Sequence, residues 1–560
     1  MQSFGSGAMS NSFGEIQSSD CIFIIGSNTT ANQPVAAAFM KQAIKKGTKL
    51  IVCDPRRNQM GDMADIYMQN YSGTNIAIVN GMISHIITNK LYDKEFIGER
   101  TEGFEALEEI AEKFTPEVCS IITGVPAEYI KKSAEMYAKG PRSAVYWGMG
   151  VAQHANGVDC VNALANLVMI CGMIGKEGTG ANPLRGQNNV QGSGDTSTLP
   201  NQLPGYQLYT EENLNKFEEI WGVRPPNNQG FKMTEMLLPK NEMKALYIIG
   251  GNPAHSNADL PATHQALRNL DFLVVQDIFM TTTAEFADVV LPATAIPEKY
   301  GTTTNSERRI QMNRPAVIPP GLAKPDIEIF LEIIDRLGYK QEGVTDRTNM
   351  FTSSEEIMAE ISRLTPQYAG VTYEKINRHN EVHWPIKADE DKGAKFLHKT
   401  SFPVGKGKIK PIEYSPADEQ TDAEYSVILT TGRTLYHWHG MTLTEKSPKI
   451  MNIEARSFIE INPDDAEKWG ISENDAVRVV SRRGSVISLA RVVDTIKPNV
   501  VFVPFHFKDA MINLVTNPIL DPLTKEPEFK VCAVKIEKVQ VTDPDYAKYS
   551  EHNDTLVSNI

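Results

Sequence analysis

The sequence predicts an α/β fold with two nucleotide-binding-like units, followed by a β-barrel. A strand–helix–strand pattern occurs twice along the chain, and near residue 421 the pattern changes to short β-strands and hairpins. Short apolar strands that alternate with helices are typical of parallel sheets in open α/β domains. We therefore expect α/β domains at 1–187 and 188–300, a less regular connecting region at 301–420, and a barrel domain at 421–545.

The first strand–helix–strand unit begins with the apolar run 21–25, which is typical of a strand buried in a parallel sheet. This strand ends at Gly26, and the residue pattern predicts a helix over 35–46. A second strand, over 50–53, ends at Asp54. The same order of glycine turn, helix and strand-end acid is found in open α/β sheets that bind nucleotides.

A second unit with the same plan lies about two hundred residues later, with strands expected at 245–249 and 272–275. Its turn glycine and strand-end acid, Gly250 and Asp277, are 27 positions apart, against 28 in the first unit. A glycine turn lets the backbone approach a phosphate, and the acid can bind a ribose or a base. The pair of units predicts two nucleotide-like ligands, and a purely structural α/β scaffold is the alternative. Neither unit has the full G-x-G-x-x-G motif, so a nicotinamide site is not indicated.

The C-terminal barrel is predicted from strands over 477–480, 486–490 and 500–504, of which the first two flank a hairpin turn. A short helix is expected at 463–469. In the connecting region the pattern predicts one clear helix, near 326–337.

Composition excludes several classes of function. The net charge of −13 argues against a protein that binds duplex DNA, because such binding depends on Lys and Arg. None of the six cysteines forms a C-x-x-C pair, so a closely spaced zinc or iron–sulfur site is not supported within this chain. Cys21 and Cys53 are expected to be small buried side chains, and the alternative for Cys53, which lies at a strand end, is contact with a ligand. No apolar run is long enough to span a bilayer.

The polar loop 185–192 is the densest candidate for chemistry. It combines Arg185 with four amide side chains and two glycines. A guanidinium can hold a carboxylate through two parallel hydrogen bonds. The alternative is that the loop is only a turn stabilised by its own amide side chains, but this interpretation does not explain the presence of the arginine.

The loop 430–440 is the second candidate, because Arg433 follows a predicted strand end and could pair with a phosphate. His437 and His439 are two residues apart, so in a strand they would share a face. We prefer hydrogen-bond donors around an anionic cofactor to a metal site formed by the two histidines. In a third loop, Glu307 is expected to form a structural ion pair with a neighbouring arginine.

These loops, in this order, resemble the molybdopterin oxidoreductase family and, within it, the formate dehydrogenase catalytic subunits. The resemblance runs from residue 1 to about residue 540, and its most specific part is 182–192. Supporting matches lie at 7–11, 52–56, 147–150, 275–279 and 305–309.

The resemblance implies a bis(molybdopterin guanine dinucleotide) cofactor with molybdenum or tungsten, and a C-terminal double-psi β-barrel that caps it. One dinucleotide would be lined by Asn28, Asn32, Cys53, Asp54, Arg56, Gly73, Asn75 and Met149. The other would be lined by Gly250, Asn252, Ser256, Gln276, Asp277, Arg433, His437, Asn513, Phe529 and Lys530. Arg185 would hold the formate carboxylate, and Gln187 would touch the pterin. We expect the loops at Gly26, Gly250 and Arg185 to converge on one cavity.

The sequence also departs from the family pattern. In this family a cysteine cluster for an iron–sulfur centre, a lysine, and a Cys or selenocysteine metal ligand followed by His precede the position that residue 1 matches. No metal ligand is therefore assigned in this chain, and a [4Fe–4S] cluster is expected only on an upstream segment. We expect the gene to continue upstream past a selenocysteine UGA codon, and the chain alone to be inactive. Ala31 stands where some relatives carry an acid.

The expected function is the oxidation of formate to carbon dioxide, with the electrons passed to an iron–sulfur subunit or to one linked to NAD or ferredoxin. A cytoplasmic location is expected unless an upstream export signal exists. The alternatives are another enzyme of the family, such as a nitrate reductase, and an inactive or cofactor-free structural fragment.

Overall fold

The structure is a computed structural model, and it describes residues 1–196, 198–240, 243–338, 353–540 and 542. The expected end of the barrel domain, at residue 545, lies outside the described residues. Within the described ranges, no helix is both long and apolar enough to cross a membrane.

The first part of the chain contains the strands β1 (Cys21–Ile25), β2 (Lys49–Cys53), β3 (Ile66–Met68), β4 (Thr101–Glu102), β5 (Ser143–Trp147) and β6 (Gly180–Pro183). Apart from β4, they form a parallel sheet with the order β3-β2-β1-β5-β6. Alternate residues of β1 enter two different cores: Ile22 and Ile24 pack on one face, and Phe23 and Ile25 pack on the other. The strand order reverses between β1 and β5, and open α/β sheets bind ligands at the carboxyl ends of strands at such a point.

Helices cover both faces of this sheet: α1 (Thr29–Asn32), α2 (Pro34–Lys45), α3 (Gln59–Asp62), α4 (Asn75–Thr88), α5 (Lys94–Arg100), α6 (Phe104–Lys113), α7 (Pro116–Thr123), α8 (Ala127–Lys139), α9 (Met149–Ala152), α10 (Gly157–Ile170) and α11 (Val190–Asp195). The predicted helix after Gly26 is confirmed as α2, which begins with Pro34 in its first turn and is followed by Gly47 in the left-handed region. Most residues of α4 and α10 are buried, because these two helices contribute much of the core on one face.

The second α/β unit is smaller. It contains α12 (Glu211–Trp221), α13 (Met233–Met236), β7 (Ala245–Ile249), α14 (Pro253–Ser256), α15 (Leu260–Arg268), β8 (Phe272–Asp277) and β9 (Val289–Pro292). The three strands are parallel and lie in the sequential order β7-β8-β9. Alternate residues of β8, Leu273 and Val275, pack into a core on one face of this sheet. The predicted repeat of the strand–helix–strand plan is therefore confirmed.

The connecting region contains β10 (Gly301–Thr304), β11 (Arg309–Asn313), α16 (Asp326–Arg336), α17 (Ser354–Leu364), α18 (Tyr373–His379), β12 (Val382–His383) and β13 (Gly407–Lys408). The expectation of one clear helix was incomplete, because α17 and α18 are also helical. Both are capped by hydroxyl side chains, Ser353 and Thr372, which accept hydrogen bonds from backbone N–H groups. Strand β13 pairs with the distant β4 and so returns the chain to the first unit.

The completely buried side chain of Arg308 ties this region to the start of the chain. Within the described part of the chain, its guanidinium donates hydrogen bonds only to backbone carbonyls, those of Met9, Ser10, Trp384, Ala394 and Lys395. The expected ion pair also forms, with Arg309 Nε 3.0 Å from Glu307 Oε1.

The C-terminal part forms a closed barrel with the order β14-β18-β15-β17-β16-β19, which confirms the predicted barrel. Its elements are β14 (Val427–Gly432), α19 (Pro448–Ile453), β15 (Phe458–Ile461), α20 (Pro463–Trp469), β16 (Ala476–Val480), β17 (Ser485–Val492), β18 (Val500–Pro504) and β19 (Cys532–Lys538). Two strand pairs are parallel, β14 with β18 and β15 with β17, and the antiparallel hairpin of β16 and β17 matches the prediction.

A charged contact joins the barrel to the first α/β unit. Arg56 Nε and Nη2 donate to the carboxylate of Glu460 at 2.6 and 2.5 Å. The same guanidinium lies 4.2 Å above the ring of Phe502 in β18. The Glu460 side chain is 7% exposed, so the pair is largely shielded from water, and a bidentate pair of this kind fixes an orientation as well as a distance.

We predict that Glu460→Gln lowers the free energy of unfolding by about 2 kcal/mol, because it leaves the Arg56 guanidinium partly buried beside a neutral amide. Urea unfolding monitored by tryptophan fluorescence would measure the change. Glu467→Gln, on the exposed face of α20, is the matched control and should leave the transition within about 0.5 kcal/mol of that of the wild type. Equal effects of the two substitutions would contradict the prediction.

Candidate functional site

A cavity of about 340 Å³ lies where the carboxyl ends of β1 and β5 face the barrel strands β14 and β18. The first unit contributes Gly26, Ser27, Asn28, Asn32, Gln33, Asp54, Pro55, Arg56, Asn58, Ser72, Gly148, Met149, Gly150, Gln153, Leu184, Gly186 and Gln187. The barrel side contributes Thr430, Thr431, Gly432, Arg433, His439, Phe502, Phe505 and Lys530. The cavity therefore lies at the reversal of strand order in the first sheet and is closed by the barrel.

Glycines form its floor. Gly26 has a φ of +56°, and a Cβ there would lie 2.7 Å from the carbonyl carbon of Gly150. A Cβ on Gly148 would lie 2.8 Å from the Gly26 carbonyl oxygen. The turns after β1 and β5 can therefore pack together only without side chains. A floor of this kind lets a ligand approach the peptide groups directly.

Two amide oxygens at the cavity are buried without a hydrogen-bond partner, Oδ1 of Asn32 and Oε1 of Gln33. An unpaired buried acceptor costs free energy, on the order of 1–3 kcal/mol. Both oxygens are available to the N–H groups of a purine base, and the glycine floor suits a phosphate. These two observations fit a nucleotide bound in the cavity.

Opposite charges meet where the first unit, through Asp54, faces the barrel, through Lys530 and Arg433. Burial raises the pKa of Asp54 to about 6, and burial lowers the pKa of Lys530 to about 8. The Lys530 ammonium donates a hydrogen bond of 2.8 Å to the Thr431 carbonyl oxygen. Arg433 also lines the cavity, and its guanidinium donates to the His437 carbonyl oxygen at 3.0 and 3.2 Å. Lys530 and Arg433 give the barrel side a positive potential that favours an anion.

The residues predicted to line the first dinucleotide fall into two groups. Those at the cavity are Asn28, Asn32, Asp54, Arg56 and Met149. Cys53, Gly73 and Asn75 lie behind it. Cys53 is buried with its Sγ 3.4 Å from Asn70 Oδ1, and Asn75 Nδ2 donates to the Gly150 carbonyl at 2.9 Å. A Cβ on Gly73 would lie 3.2 Å from Val531. These three residues support the cavity wall but do not line it.

Among the residues predicted for the second dinucleotide, only Arg433 and Lys530 line this cavity. Gln276 is buried between Tyr247 and Asp326, with which it forms hydrogen bonds of 2.5 and 2.6 Å. Burial raises the pKa of Asp277, whose carboxylate accepts bonds from the backbone N–H groups of Ile278 and Phe279. Phe529 contributes its carbonyl, which accepts a 2.8 Å bond from Thr431.

The loop after β7 lies beside the cavity rather than around it. Gly250 has a φ of +58° and open space around it, and Ser256 is exposed. Asn513 Nδ2 donates to the Ser256 carbonyl at 3.0 Å, which joins this loop to the barrel. Asn252 Nδ2 and Asn513 Oδ1 are buried without partners, so this loop also offers unused polar atoms to a ligand. The loops at Gly26 and Arg185 thus share one cavity, and the loop at Gly250 is not among its lining residues.

The two histidines of the loop 430–440 do not lie on a strand and do not share a face. His437 is fully buried, and its ring nitrogens lie 2.6 Å from the Glu454 carbonyl oxygen and 3.0 Å from Thr444 Oγ1. His437, Glu454 and His506 are close enough to hold a metal ion, but both nitrogens of His437 are occupied in this way. His439 lines the cavity, and burial with the nearby charge of Arg433 lowers its pKa to about 4. It is therefore uncharged at neutral pH.

The Arg185 loop forms one wall of the cavity through Leu184, Gly186 and Gln187. The Arg185 side chain is turned toward the start of the chain, where its Nη2 donates to the Gly7 carbonyl oxygen at 2.8 Å. Its Nε is buried without a partner. Arg185 is not itself a lining residue, but its guanidinium keeps an unused donor in the loop that forms this wall.

Several cavity residues were not predicted from the sequence. Gln33 directly follows the predicted Asn32, and Gln153 lies one helical turn after the predicted Met149. Their closeness in sequence to predicted site residues could therefore have identified both. Phe502 and Phe505 belong to a barrel strand and the loop after it, and the sequence does not reveal which strand ends face the α/β unit.

We predict that the apoprotein binds GDP more weakly as the pH rises through about 8, because Lys530 is charged below its pKa and neutral above it. Loss of one charge-assisted hydrogen bond should weaken binding about tenfold. Isothermal titration calorimetry at pH 7 and pH 9.5 would measure this. Lys530→Met should bind weakly at both pH values, whereas Lys449→Met, an exposed barrel lysine, should behave like the wild type. A wild-type affinity that does not change with pH would contradict the prediction.

Comparison with known proteins gives two family matches. The family described as "Molybdopterin oxidoreductase" matches residues 2–336. The family described as "Molydopterin dinucleotide binding domain" matches residues 427–533, which include the barrel strands β14 to β18 and the start of β19.

Individual relatives agree with these matches. The chain is 49% identical over 539 residues to the F420-dependent formate dehydrogenase subunit alpha of Methanocaldococcus jannaschii, and the match covers 96% of this chain and 79% of that protein. It is 37% identical over 548 residues to formate dehydrogenase H of Escherichia coli, and this match covers 96% of this chain and 75% of that protein. Among solved structures, acetylene hydratase from Pelobacter acetylenicus has the same fold, with a TM-score of 0.74 and 23% sequence identity. The superposition covers 96% of this chain and 80% of that one. The chain belongs to the molybdopterin oxidoreductase family.

Proposed function

We propose that this chain oxidises formate to carbon dioxide at a bis(molybdopterin guanine dinucleotide) cofactor that carries molybdenum or tungsten. The observation that carries the proposal is the Arg185 loop: Leu184, Gly186 and Gln187 line a glycine-floored cavity, and the Nε of Arg185 itself is buried with no hydrogen-bond partner among the described residues. Relatives named as formate dehydrogenase alpha subunits, at 42–49% identity, support the choice of substrate.

The unused polar atoms fit a ligand with two nucleotide arms. One arm would occupy the cavity, where Asn32 and Gln33 offer acceptors and Lys530 and Arg433 offer positive charge. The other arm would extend to the loop after β7, where Asn252 and Asn513 have unpaired atoms. Of the residues named in the sequence analysis, we assign Asn28, Asn32, Asp54, Arg56, Met149, Arg433 and Lys530 to the arm in the cavity, and Gly250, Asn252, Ser256 and Asn513 to the other arm.

The redox chemistry comes from the metal–dithiolene group when it is bound. The protein's own contribution is to bind and orient the substrate. The Arg185 guanidinium would hold the formate carboxylate through parallel hydrogen bonds and offset its charge beside an anionic cofactor. A fixed carboxylate points the C–H bond in one direction, which lowers the entropic part of the barrier. The barrel closes the opposite side and limits the access of water to the cavity.

We further propose that the electrons leave through a partner subunit that carries iron–sulfur centres or is linked to NAD or ferredoxin. The names of three relatives that are 42–49% identical to this chain contain both "subunit" and "F420-dependent", so coenzyme F420 is an additional acceptor to test.

We expect the purified holoenzyme to oxidise formate and to leave nitrate unreduced. Turnover would be measured with each substrate, and with F420, NAD⁺ and ferredoxin as acceptors. Metal analysis should find molybdenum or tungsten with two guanine nucleotides per chain. Nitrate turnover that exceeds formate turnover would favour the nitrate reductase alternative, and the absence of both metal and nucleotide would favour the structural alternative.

Arg185→Ala should lower kcat/KM for formate by about a thousandfold, because the bidentate contact to the carboxylate is lost. Arg185→Lys keeps the charge but not the planar fork and should lower it by about a hundredfold. Arg142→Ala, a surface arginine paired with Asp20, is the control and should change it less than about twofold. Near-normal turnover by Arg185→Ala would remove the substrate role.

A further inference from the structure

A buried carboxylate lies behind the Arg185 loop. Asp195, the last residue of α11, is 1% exposed. Its Oδ1 accepts hydrogen bonds from Gln191 Nε2 at 2.7 Å and from the Tyr206 hydroxyl at 2.9 Å. Its Oδ2 accepts a bond of 2.8 Å from the Tyr368 hydroxyl. Tyr206 follows Asp195 by 11 residues and Tyr368 by 173, so the carboxylate joins α11 to a nearby loop and to the connecting region.

The arrangement suits an ionised carboxylate, because all three partners donate to it and an ionised carboxylate can only accept. A negative charge at the C-terminal end of a helix is unfavourable with respect to the helix dipole. Burial also raises the pKa of Asp195, while the donors and the positive charge of Arg185 oppose this rise. The three donors therefore stabilise a negative charge that both burial and the helix dipole disfavour.

The network continues from Asp195 to the Arg185 loop. The Tyr368 hydroxyl lies 2.8 Å from Thr304 Oγ1, and the Thr304 backbone N–H donates to Asn189 Oδ1 at 2.8 Å. Asn189 is the last residue before α11. Gln191, on the first turn of α11, binds Asp195 from the same helix. Both the helix and the residue that leads into it are thus held by one hydrogen-bonded cluster.

The other end of the loop is fixed independently. The Arg185 N–H donates to Ser306 Oγ at 3.1 Å, and the Ser306 hydroxyl donates to the Arg185 carbonyl at 3.2 Å. There is also no room for a side chain at Gly192, since a Cβ would lie 2.4 Å from Asn189 Oδ1. Between these two anchors, residues 186–188 are exposed, and Gly186 and Gln187 line the cavity.

We propose that Asp195, with Tyr206 and Tyr368, is a positioning residue for the Arg185 loop and thereby sets the affinity for formate. This inference rests on the proposed function and adds to it residues that do not touch the substrate. A guanidinium whose loop shifts by even a fraction of an ångström loses the parallel geometry that a carboxylate requires.

The experiment compares the holoenzyme with Asp195→Asn, Tyr206→Phe and Tyr368→Phe. Asp195→Asn keeps the shape of the side chain but turns one acceptor oxygen into a donor that faces existing donors. We expect KM for formate to rise at least about tenfold and kcat to change less than about threefold. Each tyrosine variant removes one hydroxyl, and we expect KM to rise about three- to tenfold. Tyr373→Phe, which removes a buried hydroxyl bonded to Ser354, is the matched control and should leave KM unchanged.

Guanine nucleotide content and melting temperature are measured for every variant, because a merely structural role would lower kcat in step with cofactor loss. Unchanged KM in Asp195→Asn and Tyr368→Phe would overturn the proposal, and so would losses of activity that follow cofactor content. If Asp195→Asn does not fold, the two tyrosine variants decide the question. A wild-type holoenzyme without formate turnover would instead refute the proposed function, so the two failures are distinguishable.

Discussion

The contact between the first α/β unit and the barrel is the constraint on which the site depends. Neither part encloses the cavity alone: glycine turns after β1 and β5 form one side, and the barrel supplies Phe502 and Lys530 on the other. Arg56 bridges the two by pairing with Glu460 and stacking on Phe502. A bidentate pair fixes an angle, so this contact determines how wide the cavity is as well as whether it closes.

Local patterns were enough to predict much of the fold. The strand at 245–249 and the helix at 463–469 have the expected bounds, because each is defined by an apolar run or by residues that begin and end a helix. Asn462 caps that helix and Gly470 ends it in the left-handed region. In contrast, α17 was missed although its sequence carries a signal: Met358, Ile361 and Leu364 have helical spacing, and Ser353 caps the helix. Helix α18 has only seven residues, too few to establish a helical period.

The site was predicted less completely for a physical reason. Residues that follow strands in a parallel sheet, such as Asn28 and Asp54, are brought together by topology, so sequence order predicts their proximity. Barrel residues such as Phe502 depend on how one domain docks on another, and no local pattern records this. Gly250 shows the converse: its motif repeats that of Gly26, yet it lies beside the cavity instead of lining it.

Arg308 has a consequence for how this sequence can vary. All five hydrogen bonds that its guanidinium forms within the described residues go to peptide oxygens, and the guanidinium also lies 5.5 Å from the ring centroid of Trp384. Every amino acid carries that oxygen, so Met9, Ser10 and Lys395 could be exchanged without removing any of these bonds. The arginine itself has no such freedom, because no other side chain has enough donors to replace it. The hydrogen bonds of Arg308 therefore constrain the donor position and not the acceptor side chains, although packing restricts the buried Met9 and Ser10 separately.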